Sequence, residues 1–473
     1  QAVGSSHSTD EGSNDPGGKG TTKQRVCEGI MGSTPRLRTM SPQLARIAEK
    51  AKEEPDTVFT SVAHLMDIGH LREAWRRIRK DGATGVDRVT AEEYGQDLDK
   101  KLHDLHGRLK AGKYRAPPVR RASIPKADGS VRELGIPTVE DKIVQRAVGM
   151  ILEAIYEQDF RECSYGFRPG RSCHMALEDL RNHIMFGKVN WVLDADISRF
   201  FDEMDHEKLM EILRLRINDL SILRLIGKWL QAGVMTEAGI EARERGTPQG
   251  GVISPMLANI FLHHVLDTWM EDIVRPLMRG ECRYLRYADD CLFLFQTEED
   301  ARRVLAVLPK RLGKFGLRLN EGKTKLIRFG RFAEEKENRR GRRPGTFDFL
   351  GFTHYGGISR NGKFQVMRST QRKRFGNAVK RVVDWMKRNR CVLRVDQHRY
   401  LTAVLRGHYQ YYGLSGNMRR VAAFYYCVTR SWCKWLRRRS HRHSLNWERF
   451  KDYMKSYPLP TPCLPKSYVY AIA

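Results

Sequence analysis

The sequence predicts an α+β protein that passes into a helical, strongly basic carboxyl-terminal part. Three observations carry that reading. Segments of helical period and segments of strand period alternate from about residue 41 to residue 366. Apolar strand-like runs bracket paired acids in "WVLDADISRFFD" (191–202) and in "LRYADDCLFLF" (285–295). From Arg368 to Lys451 there are 22 Lys and Arg against three acids, Asp384, Asp396 and Glu448, which places +19 of the net +28 in under a fifth of the 473 residues.

The elements follow in order. Residues 1 to about 35 are rich in Gly, Ser, Thr and Asp with few apolar positions, which predicts a disordered tail (1–38) and no signal peptide. Helical text starts at Ser41-Pro42 with Leu44, Ile47 and Ala48, and continues in "LREAWRRIRK", where Leu71, Trp75 and Ile78 share one face. "SIPKADGSVRELGIP" reads as a hairpin turning at Ala127-Asp128-Gly129. A helix is expected from Val139 to about Tyr156. "NWVLDADISRFFDEMDHEKLM" runs from strand into helix with Asp205 as N-cap. The Gly-rich "GTPQGG" leads into "VISPMLANIFLHHVL", whose Ser254, Pro255, Asn259 and two histidines mark a core helix rather than a membrane span. Its simplest start has Ser254 as N-cap and Pro255 at the first helical position. The acid-bearing hairpin, a helix from Glu298 to Phe315, and the strand-like "KTKLIRFG" and "FDFLGFTHYGG" complete the mixed region. No internal repeat is visible.

Composition narrows the partner. Lys and Arg outnumber Asp and Glu by 84 to 56 and the pI is near 9.9, an excess that points to a polyanion, most simply nucleic acid. A basic membrane-surface protein is the competitor, but no lipidation signal accompanies the charge. The nine cysteines are odd in number, scattered and without a CxxC pair, so a reduced, intracellular (cytoplasmic) protein is expected. Cys427, Cys433, His441 and His443 approach a zinc pattern, but their spacing fits no common finger. In the tail, aromatics interleave with cations, as in "GHYQYYG" and "FYYCVTRSWCKWLRRRSHRH". That mixture suits RNA, with phosphates for the cations and unstacked bases for the rings. Most rings are nevertheless expected to be core and most Arg exposed. Candidate RNA contacts are Arg372, Lys373, Arg374, Lys380, Arg381, Arg437, Arg438 and Arg439.

The paired acids are the sharpest signal. Asp289 and Asp290 would leave a regular strand on opposite faces, so a common site requires a tight bend at "ADD". As an isolated pair they are more simply turn residues. The second acidic segment changes that weighting. Asp194 and Asp196, two apart, share one face of an apolar strand, and charges so placed need a cation. Carboxylates from two strands form a hard-oxygen site suited to Mg²⁺ and poor for zinc. Two such ions would serve an in-line phosphoryl transfer on nucleic acid or nucleotides.

At this point the residues carry a resemblance. "DISRFFD", "GTPQGGVISPMLANIFLH", "YADD", "GLRLNEGKTKLIRF" and "FDFLGFTHYGG" occur in the order and spacing of a reverse transcriptase palm. "IPKADGSVRELGIPTVEDKIVQRAV" and "YGFRPGRSCHMAL" resemble its upstream finger blocks. With the basic tail and "YPLPTPCLPKSY", the chain from about residue 55 to 470 resembles bacterial group II intron reverse transcriptase/maturases. YADD alone would be a weak signal; seven blocks in order are a strong one.

The resemblance implies a right-hand polymerase. An N-terminal extension and fingers would occupy 39–145, the palm with part of the fingers 146–366, and a basic helical thumb/maturase domain 367–473. It assigns Asp196, Asp289 and Asp290 as catalytic metal ligands with the Ile197 carbonyl beside them, holding two Mg²⁺ ions for which Mn²⁺ would substitute. Asp194 is at best an auxiliary charge. Phe201, five residues after Asp196, matches the ring that closes off the 2′ side of the incoming sugar, with Phe200 facing the core. Lys126 and Arg132 would contact the triphosphate, Gln249 and Gly250 would line the dNTP pocket, and Lys323 would lie near the active site. Implied partners are group II intron RNA, an RNA template with DNA primer, target DNA and dNTPs. Glu133 departs from the family by standing where a proline usually follows the finger arginine. No HNH endonuclease module with paired cysteines is seen, so cleavage of a DNA target is not expected. The implied function is RNA-directed DNA polymerase and intron maturase. Alternatives are an RNA-binding splicing factor whose polymerase site is a relic, and a related enzyme recruited to phage defence or CRISPR spacer acquisition.

Overall fold

The computed structural model describes residues 40–125, 131–236, 239–241, 246, 250–333, 345–359, 361–439 and 445–464. The tail over 1–38, Lys126, the Ala127-Asp128-Gly129 turn, Gln249, His441 and His443 lie outside the described residues. The chain forms two compact units, which meet in sequence at Met367 and Arg368.

In the first unit, helices begin where local chemistry can cap them. The Ser41 hydroxyl accepts from the Leu44 amide, with Pro42 in the first turn of α1 (Pro42–Glu53). Asp67 caps α2 (Ile68–Arg77), and a reciprocal Thr90/Glu93 box opens α3 (Ala91–Gly95), followed by α4 (Leu98–Lys110). Strands β1 (Val119–Pro125) and β2 (Val131–Ile136) form the expected hairpin. Helix α5 (Val139–Tyr156) is apolar nearly all round and is correspondingly buried on almost every side.

After α6 (Cys173–Phe186), β3 (Trp191–Ala195) leads through β4 (Ile197–Ser198) and the short α7 (Phe200–Glu203) to α8 (His206–Arg214). Asp205 caps α8, as its spacing predicts, by accepting from the Glu207 and Lys208 amides. Next come α9 (Leu220–Gln231), β5 (Val234–Thr236), β6 (Gly239–Glu241) and α10 (Ser254–Leu262). Strands β7 (Cys282–Tyr287) and β8 (Asp290–Phe295), helix α11 (Glu298–Gly313), and β9 (Arg318–Leu319) to β10 (Lys325–Arg328) complete the sheet that matters most. Its order is β10-β3-β8-β7, antiparallel throughout, and helices cover its apolar side chains. A second sheet, β2-β1-β5-β6, is mixed, because β1 and β5 pair parallel. A third joins β11 (Phe347–Phe349), β12 (Phe352–Ile358) and β13 (Phe364–Thr370).

Two local expectations are corrected. Ile253, not Ser254, stands at the N-cap of α10, with no side-chain cap of its own. The reason is tertiary: the Gln145 side-chain oxygen accepts from the Val252 and Ile253 amides at 2.7 and 3.4 Å, so the serine is not needed there. The core helix beyond α10 also widens into π-helical turns over His263–Asp267 and Trp269–Val274.

In the second unit, α12 (Arg372–Arg388), α13 (Arg394–Tyr412), α14 (Met418–Arg437) and α15 (Trp447–Ser456) enclose a core of Leu401, Leu405, Phe424, Val428, Trp432 and Phe450. Strand β13 runs on to Thr370, and the first of these helices begins at Arg372. Rings and cations sort as expected: Tyr426 and Trp447 are exposed, but Trp432, Trp435, Phe424 and Phe450 are core. Among the described residues no helix is long and apolar enough to cross a membrane.

Asp219 joins distant segments of the first unit. One carboxylate oxygen accepts from the Val62 and Ala63 amides at 2.7 and 2.8 Å, and the other caps α9 through Ser221 and Ile222. Asp219→Ala is therefore expected to cost about 3 kcal/mol, from a lost cap plus buried amides left unpaired. Urea denaturation measures it, and a loss below about 1 kcal/mol would contradict the latch.

Candidate active site

Strands β7 and β8 are joined by Ala288 and Asp289 alone, with Tyr287 paired to Asp290. This is the bend that the two acids require. Ala288 adopts φ 57°, left-handed backbone that costs an L-residue roughly 1–2 kcal/mol. Gly166 makes that turn possible from behind, since a Cβ there would lie 2.4 Å from the Ala288 nitrogen. At the end of the hairpin Asp289 is half-buried and Asp290 exposed.

The third acid arrives from β3. Its last pair with β8 is Ala195 opposite Cys291, so Asp196 leaves the strand beside Asp290. The segment after β9 holds Asp196 in place. The Asp196 carbonyl accepts from the Asn320 amide at 2.8 Å, and its own amide donates to Thr324 Oγ1 at 3.4 Å. Lys323 Nζ stands 3.5 Å from Asp196 Oδ2. Ile197 lies in β4 opposite Leu319, its side chain buried.

Asp194 belongs to the same electrostatic cluster. Burial first, then the Asp290 and Asp196 charges, push its carboxyl up to about 7 against the opposing pull of Lys325. Among the described residues no three acidic, His or Cys side chains already converge tightly enough to grip an ion. The donor set still fits a hard divalent cation: carboxylates project from adjoining strand ends, and one already pairs with an ammonium group.

Beside the acids, Phe200 is buried against Phe261, and Phe201 sits edge-on to it at 5.1 Å, half-buried. Gly246 lies on the backbone of this turn. A Cβ there would meet the Phe201 and Asp202 carbonyls at 2.7 Å, and its amide donates to the Met204 carbonyl. Gly250, at φ 121°, lies equally close to the Gly135 carbonyl at the end of β2. Gly246 thus lies against the Phe201 turn and Gly250 against the β1–β2 hairpin, where Arg132 pairs with Ile124 in the ladder. Glu133, the family departure, forms an ion pair with Arg121.

Sequence reasoning missed the polar groups behind these parts. Asp141 accepts from the Tyr114 hydroxyl, Trp229 Nε1 and Gln145 Nε2, and burial pushes its carboxyl up to about 6. Arg286, Asn259, Asp267 and Ser164 lie buried behind the Ala288–Asp289 turn. For Asp141, Arg286, Asn259 and Asp267 a readable signal existed: a charged or amide residue inside an otherwise apolar helix or strand.

In the second unit Arg372, Lys373, Arg374, Lys380 and Arg381 are exposed on α12, and Arg437 and Arg438 are exposed at the end of α14. Arg439 differs. It is half-buried and donates to the Cys391 carbonyl at 3.1 Å, a contact that sequence cannot reveal. Cys427 and Cys433 are free thiols on α14.

The Asp194 carboxyl binds its proton more tightly folded than unfolded. It therefore takes stability away as pH rises from about 4 to about 7. Asp194→Asn should flatten that decline in metal-free buffer and raise Tm at pH 8 by about 2–4 °C. An unchanged pH profile of thermal unfolding would place Asp194 outside the cluster.

Comparison with known proteins agrees with this geometry. The family model described as "Reverse transcriptase (RNA-dependent DNA polymerase)" matches residues 124–354. The chain is 33% identical over 314 residues to the group II intron-encoded protein LtrA of Lactococcus lactis subsp. cremoris, covering 63% of this chain and 52% of LtrA. It is 35% identical over 278 residues to protein YkfC of Escherichia coli K12, covering 51% of this chain and 71% of YkfC. It thus spans about half the length of LtrA and most of YkfC. A telomerase structure from Candida albicans, in complex with a fragment of telomeric RNA, aligns with 77% of this chain and 65% of that one at TM-score 0.41 and 14% identity, too distant to bear on the argument. With its acids on adjoining strand ends and a relative matched over most of its length, the chain belongs to the reverse transcriptase family.

Proposed function

We propose that the protein is an RNA-directed DNA polymerase that adds dNTPs to a primer on an RNA template and also binds group II intron RNA as a maturase. The observation that carries the reading is the strand register, which sets Asp196 beside Asp290 at the end of a hairpin whose turn contains Asp289. In this reading the β1–β2 hairpin belongs to the fingers, the β10-β3-β8-β7 sheet is the palm, and the helices from Arg372 form the thumb/maturase domain.

Two divalent ions, Mg²⁺ or Mn²⁺ in its place, would activate the primer hydroxyl and stabilise the leaving oxygen of an in-line transfer. The chain's part is to hold and orient. Asp196, Asp289 and Asp290, with the Ile197 carbonyl, supply hard oxygen donors. Lys323 offsets the Asp196 charge when no ion is bound. The half-buried Phe201 ring would exclude a ribose 2′-hydroxyl by overlap. Gly250 lets backbone approach the nucleotide. Lys126, Arg132 and Gln249 take triphosphate and pocket roles from their place in the family motifs. The exposed cations of α12 and of the end of α14 support an RNA-binding role for the second unit. The reading extends to intron RNA and target DNA as partners and to the bacterial cytoplasm as location; the likeness to a group II intron-encoded protein supports the intron part of it. The clustered Asp196, Asp289 and Asp290 disfavour a relic site, because like charges gathered at one place cost stability when nothing uses them.

Asp289→Ala is expected to lower primer extension on an RNA template by roughly 10³-fold or more, several kcal/mol of transition-state stabilisation. Near-normal extension by that variant in Mg²⁺ would refute the ligand set. Phe201→Val should raise ribonucleotide incorporation relative to dNTPs by about tenfold, or about 1.4 kcal/mol. Competition assays with paired rNTP and dNTP read this directly, and unchanged sugar selectivity would remove Phe201 from the pocket.

A further inference from the structure

A buried cation stands behind the carboxylate turn. The Arg286 side chain and its partner Asp267 are both fully excluded from solvent. A guanidinium carries five N–H donors, and here all are engaged. Nε and Nη2 bond the two Asp267 oxygens at 2.7 and 2.6 Å, and Nη2 also bonds Ser164 Oγ at 2.8 Å. Nη1 bonds Asn259 Oδ1 at 2.9 Å and the Ala288 carbonyl at 3.0 Å. Asn259 Nδ2 in turn donates at 2.7 Å to the carbonyl of Gly166, the glycine against which Ala288 packs. Burial pushes the Asp267 carboxyl up, but Arg286 and His263 more than offset it and hold it below its ordinary range, so the pair is ionic.

Such a pair is a poor way to stabilise a core, since an apolar pair of similar volume usually does as well. What an apolar pair cannot do is bind a carbonyl. The carbonyl held is that of Ala288, the left-handed residue immediately before Asp289. The helix has been reshaped to allow it. Eight residues of α-helix would leave Asp267 about 80° round from Asn259. The π-helical turn at His263–Asp267 absorbs about one extra residue and returns the two side chains to within about 20°, on one face. Arg311 supports that wider turn by donating to the His264 and Val265 carbonyls at 3.0 and 2.9 Å.

We propose that Arg286 is a positioning residue for the carboxylate turn: with Asp267 and Asn259 behind it, it fixes the Ala288 carbonyl and so aims Asp289 and Asp290 toward the cation. The inference rests on the polymerase reading above and adds to it a residue that touches neither ion nor nucleotide.

The test is Arg286→Lys in the full chain, which keeps a charge for Asp267 but not the planar five-donor fork. Mn²⁺ binding to the metal-free protein, followed by water-proton relaxation, is expected to weaken about tenfold. The Mg²⁺ concentration for half-maximal primer extension should rise in parallel, with the dNTP KM at saturating Mg²⁺ changing less than about twofold. Arg216→Lys, at a buried arginine that fastens Asp159 and the Thr57 and Ala51 carbonyls and makes no bond to the turn, should lower Tm without moving Mn²⁺ affinity. Wild-type Mn²⁺ affinity in Arg286→Lys overturns the inference while leaving the polymerase reading intact. A wild-type chain that neither binds Mn²⁺ nor extends a primer overturns both. Should Arg286→Lys fail to fold, Asn259→Ser cuts one bond to the guanidinium and one to Gly166. It should weaken Mn²⁺ binding about threefold, and unchanged affinity there overturns the inference equally.

Discussion

Everything at the candidate site depends on one register, that of β3 against β8. Ala195 faces Cys291, and the next residue outward on each strand is an aspartate. Side chains alternate along a strand, so a slip of one residue would exchange the side chains packed on the two buried faces of β3 and carry Asp196 away from Asp290. The register is fixed by burial: Val192, Leu193, Leu292, Phe293, Leu294 and Phe295 are all fully enclosed. The apolar runs that make the acids look misplaced in sequence are thus what sets their position. Three carboxylates can sit at the rim of a hydrophobic sheet because the sheet ends there, with Asp290 exposed and Asp196 paired with Lys323.

Around that register the structure spends polar groups where backbone must be held without repetition. Gln145 caps α10 from another helix, and Asp141 anchors Gln145. Asp219 and Arg216 fasten the amino-terminal segments, Arg216 through a fork on Asp159 and the carbonyls of Thr57 and Ala51. Arg286 fastens the carboxylate turn. In each case a buried side chain satisfies amides or carbonyls that no ladder or helix reaches, which is what buried polar groups must do to be tolerated.

Much of this was legible in the sequence because it is local. The Asp205 cap, the extent of α5, the hairpin around Asp289 and Asp290, and the buried Phe200 beside a less buried Phe201 follow from periodicity, capping chemistry or motif spacing. What was not legible depends on partners far along the chain. Ile253 replaces Ser254 as the N-cap because Gln145 arrives from more than a hundred residues away. Arg439 is only half-exposed, unlike its neighbours Arg437 and Arg438, because a carbonyl at Cys391 lies within reach of its guanidinium. The π-helical turn has no local signature, since what requires it is the meeting of Asn259 and Asp267 on one guanidinium.

The strained backbone makes the same point from the opposite direction. Phe167, Arg199 and Ala288 all adopt left-handed φ without being glycine, and all three border the carboxylate segments. Each such residue costs on the order of 1–3 kcal/mol and persists only where its surroundings over-determine it. At Ala288 those surroundings are identifiable: Gly166 against its nitrogen and Arg286 on its carbonyl. A glycine at 288 would relieve the strain but would also free the turn, because glycine gains as much conformational freedom as it removes steric cost. An alanine clamped on both sides gives a bend of one shape. For like-charged carboxylates held close together, a single shape is the useful property, since the alternative is a turn that relaxes to separate the charges.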